Sequence, residues 1–182
     1  MRIMIVPATL LACAVAACSS PESEQQAPAE PVETQAPVEA VAVLKTADGT
    51  EVGRATAMPD GESVAIALRV EGLEPGERGV HIHETGSCEG PDFTSAGAHW
   101  NPASVMHGLE HPEGQHAGDM PNLTVAADGA GTLGYTLVGA TFDGLMDADG
   151  SAFVIHADRD DQTTDPSGDS GNRIACGVFE AG

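Results

Sequence analysis

The sequence predicts an all-β domain: a sandwich or flattened barrel of about eight short antiparallel strands carrying two long functional loops. Three observations lead there. Apolar residues recur with a period of two, and no stretch of the chain gives a convincing helix. Glycine is abundant, at 22 of 182 residues, while aromatics make up 3%, a composition suited to many turns. Turn signals such as Asp48-Gly49, Pro75-Gly76 and Asp128-Gly129 punctuate the apolar runs.

The strands follow in order. Val41-Ala42-Val43-Leu44 is a short apolar strand, and Gly53 to Met58 returns beside it after the Thr46-Ala47-Asp48-Gly49 turn. Ser63 to Val70 alternates, with Val64, Ile66, Leu68 and Val70 on one face. Gly79-Val80-His81-Ile82-His83 comes next, with Val80 and Ile82 toward the core and both imidazoles outward. Asn122 to Ala126 and Thr132 to Val138 flank the Asp128-Gly129 turn, and Ser151 to His156 and Arg173 to Phe179 close the set. Between them run two irregular stretches, 84–120 and 157–172. Long loops on a β scaffold are where binding and catalytic residues concentrate.

The N-terminal part is of another kind. Ile3 to Ala17 is an apolar run behind Arg2, too short for a comfortable membrane span and typical of a signal peptide. It ends Val15-Ala16-Ala17-Cys18, small residues before a cysteine, as in a lipoprotein cleaved before a lipidated Cys18. Residues 1–17 are thus read as signal peptide and 18–38, rich in proline, glutamate, glutamine and alanine, as a disordered tether. Such a tether holds a domain up to ~60 Å from a membrane. Residues 39–182 form the folded domain.

Charge and cysteines narrow the function. With 28 acidic and 7 basic residues, net −21, no basic patch exists to neutralise phosphates, so nucleic-acid binding is excluded. Cys13 leaves with the signal peptide. In the exported chain, Cys88 and Cys176 remain as one pair, whose default is a disulfide.

All seven histidines lie at or beyond His81. His81 and His83, two apart on a strand, point to one side, and His156 ends another strand facing away from Phe153 and Ile155. Three imidazoles on one sheet surface make a copper-type site. In the first loop, His99, His107, His116 and Asp119 supply three nitrogens and a carboxylate, a tetrahedral zinc set. A solvated histidine-rich loop is the ordinary alternative, and spacing alone leaves the division of ligands open.

The motifs His81-X-His83, Gly86-Ser87-Cys88, Ser95-Ala96-Gly97-Ala98-His99-Trp100-Asn101-Pro102, His107-Gly108, His116-Ala117-Gly118-Asp119, Val154-Ile155-His156 and Gly171-Asn172-Arg173-Ile174-Ala175-Cys176-Gly177 resemble those of the copper–zinc superoxide dismutases. The likeness runs in order and in spacing from about residue 40 to the end. It implies a Greek-key β-barrel that converts superoxide to O2 and hydrogen peroxide. It further implies copper held by His81, His83, His99 and His156, and zinc held by His99, His107, His116 and Asp119, with His99 as the shared bridge and proton carrier. By the same resemblance Arg173 guides the anion, Cys88 and Cys176 form the family's disulfide, and Asp160 braces His81 and His107. Asp161 adjoins Asp160, and sequence alone does not separate the two. His111 matches no ligand position.

The combined expectation is a lipid-anchored enzyme of the bacterial cell envelope, facing the periplasm and protecting it from oxidative damage. Ser19 after Cys18 favours the outer over the inner membrane. Superoxide is the substrate, a copper-delivery protein is a compatible partner, and monomer and homodimer both stay open. The rival reading is a copper-binding or copper-buffering envelope protein on the same fold. One feature departs from the family pattern: the second loop carries Asp158, Asp160, Asp161, Asp165 and Asp169 against Arg159 alone, where relatives often place lysines. Weak electrostatic steering follows unless Arg78 or Lys45 reaches the mouth. Activity is therefore expected to fall little, or to rise, as salt is added, and a steep loss of kcat/KM between low and moderate ionic strength would contradict this.

Overall fold

A computed structural model describes residues 38–182, so the expected signal peptide and Cys18, with nearly all of the tether, lie outside the described residues. Within them are nine strands: β1 (Ala40–Lys45), β2 (Glu51–Asp60), β3 (Ser63–Val70), β4 (Gly76–Arg78), β5 (Val80–His83), β6 (Leu123–Val125), β7 (Gly131–Leu137), β8 (Ala152–His156) and β9 (Arg173–Ala181). Seven form one antiparallel sheet in the order β5-β8-β9-β1-β2-β3-β7, and β4 pairs with β6. The run β9-β1-β2-β3 is a Greek key, the last strand returning beside the first. The sheet curls until its two ends approach. β4 leads through Gly79 into β5, and β6 turns through Asp128-Gly129 toward β7, so the small pair spans the gap.

The core follows from alternation. Val64, Ile66, Leu68 and Val70 of β3 are buried, as are Leu44, Ile82, Leu123, Phe153, Ile155 and Phe179. Each such side chain contributes about 1.5–3 kcal/mol of hydrophobic stabilisation. β8 is buried on both faces. Phe153 and Ile155 enter the main core, while Ala152, Val154 and Cys176 form a second cluster on the outer face with Phe93 and Ala96. The first long loop therefore lies over the outer face of β5, β8 and β9. Cys88, bonded to Cys176, fastens it there.

The structure adds detail to three expectations. The strands number nine among the described residues, because β4 spans only three residues and β6 is recruited to it rather than laddering with β7. A short α-helix, α1 (Phe142–Leu145), is present, and the Thr141 side chain caps it by accepting from the Gly144 amide. His81 and His83 do leave the core side of β5, yet they are 0% and 1% exposed, because the loop covers that face.

Candidate metal centre

Strand register assembles the first group of ligands. His81 stands opposite Val154 and His83 opposite Ala152 in the β5–β8 ladder. Directly opposed residues share a face, and His156 lies two residues beyond Val154, so all three imidazoles emerge on the outer surface. A register shift between Ile155 and His156 sets His156 opposite Arg173, which brings the guanidinium to the same place.

The loop then docks on β5 by main-chain hydrogen bonds. The Trp100 amide donates to the Ile82 carbonyl (2.9 Å), the Ile82 amide to the Gly118 carbonyl (3.0 Å) and the Gly118 amide to the Trp100 carbonyl (2.9 Å). These place His99 beside His83 and Asp119 beside His81. Residue 118 must be glycine, since a Cβ would collide with the Ile82 carbonyl.

The nitrogens sort themselves by partner. His81 Nε2 lies 2.6 Å from Asp160 Oδ2, His83 Nδ1 3.0 Å from the Gly97 carbonyl and His156 Nδ1 3.2 Å from the Gly171 carbonyl. Each acceptor fixes one tautomer and leaves the opposite nitrogen bare. The bare atoms are His81 Nδ1, His83 Nε2 and His156 Nε2, joined by His99 Nε2, all buried without a hydrogen-bond partner. These four residues offer donor atoms within 4.8 Å of one another. Four inward-facing imidazole nitrogens with nothing to bond fit a copper ion, for which imidazole is a suitable ligand.

The second group centres on Asp119 Oδ1. It stands 3.2 Å from His99 Nδ1, 3.1 Å from His107 Nδ1 and 3.3 Å from His116 Nδ1. Donors about 2.0–2.1 Å from a tetrahedral zinc ion stand about 3.3–3.4 Å apart, so this spacing fits zinc. Asp119 Oδ2 accepts from the Gly108 and His116 amides (2.8 and 3.0 Å), which aims Oδ1 at the histidines. His99 presents Nδ1 to this group and an unpartnered Nε2 to the first; His81 also has a donor atom within 4.8 Å of His99, His107 and Asp119, but its Nε2 is held by Asp160.

Asp160 ties the groups together from behind. Its carboxylate meets His81 Nε2 and, at 3.1 Å, His107 Nε2, and it is fully buried. Asn122 clamps its main chain in both directions, donating to the Asp160 carbonyl (2.9 Å) and accepting from its amide (2.8 Å). A Cβ at position 168 would collide with this carboxylate, and Gly168 also holds a left-handed φ of 62°. Asp161 is half-buried and caps the Thr163 and Thr164 amides, so the two neighbouring aspartates have separate tasks. Replacing Asp160 with alanine strands two buried N–H donors. The expected result is a 10- to 100-fold loss of affinity for both metals, measured against competing chelators.

Burial sets the protonation of the centre. It lowers His81 and His83, aided by the neighbouring His99, and lowers His156 to about 4, so these rings are neutral near pH 7. Burial also lowers His99, against the pull of Asp119. For His107 burial works the same way, but hydrogen bonds to Asp119 and Asp160 outweigh it and raise the ring to about 9. Burial would raise both aspartates, yet their histidine partners hold them well below the usual carboxylate range. Zinc must then displace a proton from His107. About one proton per zinc from this ring is expected at pH 7, vanishing above pH 9, by calorimetry in buffers of different ionisation enthalpy.

Arg173 donates from Nη1 to the Phe93 carbonyl and from Nη2 to the Gly97 carbonyl, both at 2.6 Å. Gly97 O thus serves His83 and Arg173 together. Of the other cations considered for steering, Arg78 is bound to the Ala157 and Glu74 carbonyls, and Lys45 sits opposite Cys176 on β9. Arg159 pairs with Glu77 (3.2 Å). His111 stays apart from both groups, its Nδ1 accepting from the Glu113 amide (3.0 Å). Asn122, Gly97 and Gly171 escaped the sequence reading. Their contributions are a cross-loop clamp and two carbonyls, roles that Gly97 and Gly171 do not reveal even though they stand inside the motifs given above.

The comparisons with known proteins come from both sequence and structure. Residues 51–179 match the family model for copper/zinc superoxide dismutase. The chain is 44% identical over 148 residues to a Caulobacter vibrioides protein named superoxide dismutase [Cu-Zn], covering 78% of this chain and 85% of that one. It is 45% identical over 126 residues to the superoxide dismutase-like protein YojM of Bacillus subtilis, covering 66% of this chain and 64% of that one. Among solved structures it resembles a SOD-like protein from Bacillus subtilis, with TM-score 0.69 and 42% identity over 76% of this chain and 96% of that one. It also resembles a Cu/Zn superoxide dismutase from Brucella abortus, with TM-score 0.66 and 26% identity over 78% of this chain and 99% of that one.

Proposed function

The chain belongs to the copper/zinc superoxide dismutase family, and from that premise we propose that it dismutates superoxide at one centre joined through His99. Copper and zinc are the metals the family implies; His81, His83, His99 and His156 offer donor atoms within 4.8 Å of one another, and His99, His107 and His116 each stand 3.1 to 3.3 Å from Asp119. The observation that carries the reading is the set of buried, unpartnered nitrogens on His81, His83, His99 and His156. When bound, copper supplies one-electron exchange with superoxide and zinc supplies a fixed, redox-inert charge.

The protein's own residues do the rest. His81, His83 and His156 would hold copper, with tautomers already set by Asp160, Gly97 and Gly171. Arg173 is anchored by two carbonyl acceptors, and its remaining N–H groups offer a planar fork to a small oxygen anion. His107, His116 and Asp119, with Nδ1 of His99, would hold zinc. His99 Nε2, buried without a hydrogen-bond partner, is the atom that would hold a proton and pass it to the product. Two superoxides and two protons leave as one O2 and one hydrogen peroxide.

The rival reading, copper binding or buffering without dismutation, is kept in view by a relative named superoxide dismutase-like. One experiment separates the two. The protein loaded with copper and zinc should remove superoxide over many turnovers per site. Consumption that stops after one or two equivalents of superoxide would overturn the proposal in favour of buffering.

We also propose that the protein is anchored by lipid at Cys18 in a bacterial envelope, in the outer membrane, and protects that envelope. The Val15-Ala16-Ala17-Cys18 run supports this, and a disulfide-bonded domain suits an oxidising compartment. Cys18→Ser should release the protein from the membrane fraction; retention would contradict the anchor.

A further inference from the structure

Five of the six centre histidines have both ring nitrogens accounted for. His81 and His107 lean on Asp160, His83 and His156 lean on carbonyls, and His99 faces both donor groups. His116 is the exception. Its Nδ1 faces Asp119, while its Nε2 makes no hydrogen bond; the nearest acidic atom is Oδ1 of Asp165, at 3.9 Å.

That same Asp165 oxygen accepts the main-chain amide of His107 at 2.9 Å. One carboxylate therefore stands behind two members of the zinc group at once. It comes from the second long loop, whereas both histidines belong to the first. Asp165 also lines a shallow groove of about 310 Å³ that reaches the edges of His99 and His116. Its side chain is 39% exposed, so water reaches it, while the imidazoles are nearly buried.

We propose that Asp165 is a positioning residue of the zinc group, holding His107 through its amide and orienting His116 through Nε2–H. With zinc on His116 Nδ1, the proton resides on Nε2 and points toward the carboxylate, directly or through one water. A negative charge there makes the ring a better donor, as Asp160 does for His107. The inference rests on reading His99, His107, His116 and Asp119 as the zinc ligands.

Two variants separate the roles. Asp165→Asn keeps an oxygen for the His107 amide and removes the charge; Asp165→Ala removes both. Zinc affinity is read by competition with a chromogenic chelator, copper affinity in parallel, and the ligand field by the visible spectrum of cobalt(II) in the zinc group. Zinc affinity should fall about 10-fold or more in Asp165→Ala and by a smaller, clear factor in Asp165→Asn. The cobalt band should shift in both, and copper affinity should stay within about twofold of native. Native-like zinc binding in Asp165→Asn would overturn the inference. So would an equal loss of both metals, which marks a general structural role. If the native chain itself takes up no zinc, the ligand assignment fails instead.

Discussion

His99→Ala should abolish superoxide turnover, reducing it at least about 100-fold, the upper end of what losing support at a metal site costs. The expected loss is larger than for any other single ligand because His99 Nε2 belongs to the copper group and His99 Nδ1 to the zinc group. Copper keeps His81, His83 and His156, so copper binding should survive in weakened form. Zinc keeps His107, His116 and Asp119, so it too should bind, about 10- to 100-fold more weakly. The proton route is gone, however, since His81, the other ring near both groups, has its Nε2 held by Asp160. The polypeptide should still fold, because the loop docks through main-chain bonds of Trp100 and Gly118 rather than through this side chain. Full activity in the variant would refute the bridge.

Loss of the disulfide should produce the largest change in stability. Cys88 and Cys176 are 88 residues apart, and closing a loop of that length stabilises by about 4.5 kcal/mol in the chain-entropy model. For a domain of this size, that is a Tm lower by roughly 10–15 °C when both cysteines are replaced by serine. Activity should fall too, for a structural reason. The segment held by Cys88 includes Phe93 and Gly97, whose carbonyls fix Arg173, and Gly97 O also fixes His83. Released from β9, that segment exposes Phe93 and Ala96 and lets the guanidinium swing. Calorimetric scans of the double serine variant with and without metals check both parts. An unchanged Tm in the metal-free state would contradict the expected stabilisation.

Particular residues show how far the sequence could be read. The alternation of Val64, Ile66, Leu68 and Val70 names a strand and its inner face without help, since a period of two has one interpretation. His81-X-His83 and the stretch from His99 to Asp119 likewise name a metal chemistry. What stayed hidden depends on contacts between distant segments. β4 is three residues long and exists because Leu123 to Val125 arrives beside it. α1 has four residues, too few to show a helical period, and rests on the Thr141 cap. Burial of His81 and His83 comes from a loop laid over a strand face that alternation alone marks as outward. Asp160 and Asp161 look alike in sequence. Only the fold turns one inward between His81 and His107, held there by Asn122, and leaves the other half-buried, capping the Thr163 and Thr164 amides.

The claim that unites these results is that one imidazole joins two donor groups into a single centre. Electron paramagnetic resonance tests it most directly, with copper(II) on the His81–His83–His156 face and paramagnetic cobalt(II) in the group of His107, His116 and Asp119. If His99 bridges them, its ring couples the two spins, and the copper signal should be broadened away or strongly altered when cobalt is added. A copper spectrum that remains unchanged at full cobalt loading would mean two separate sites and would contradict the shared centre.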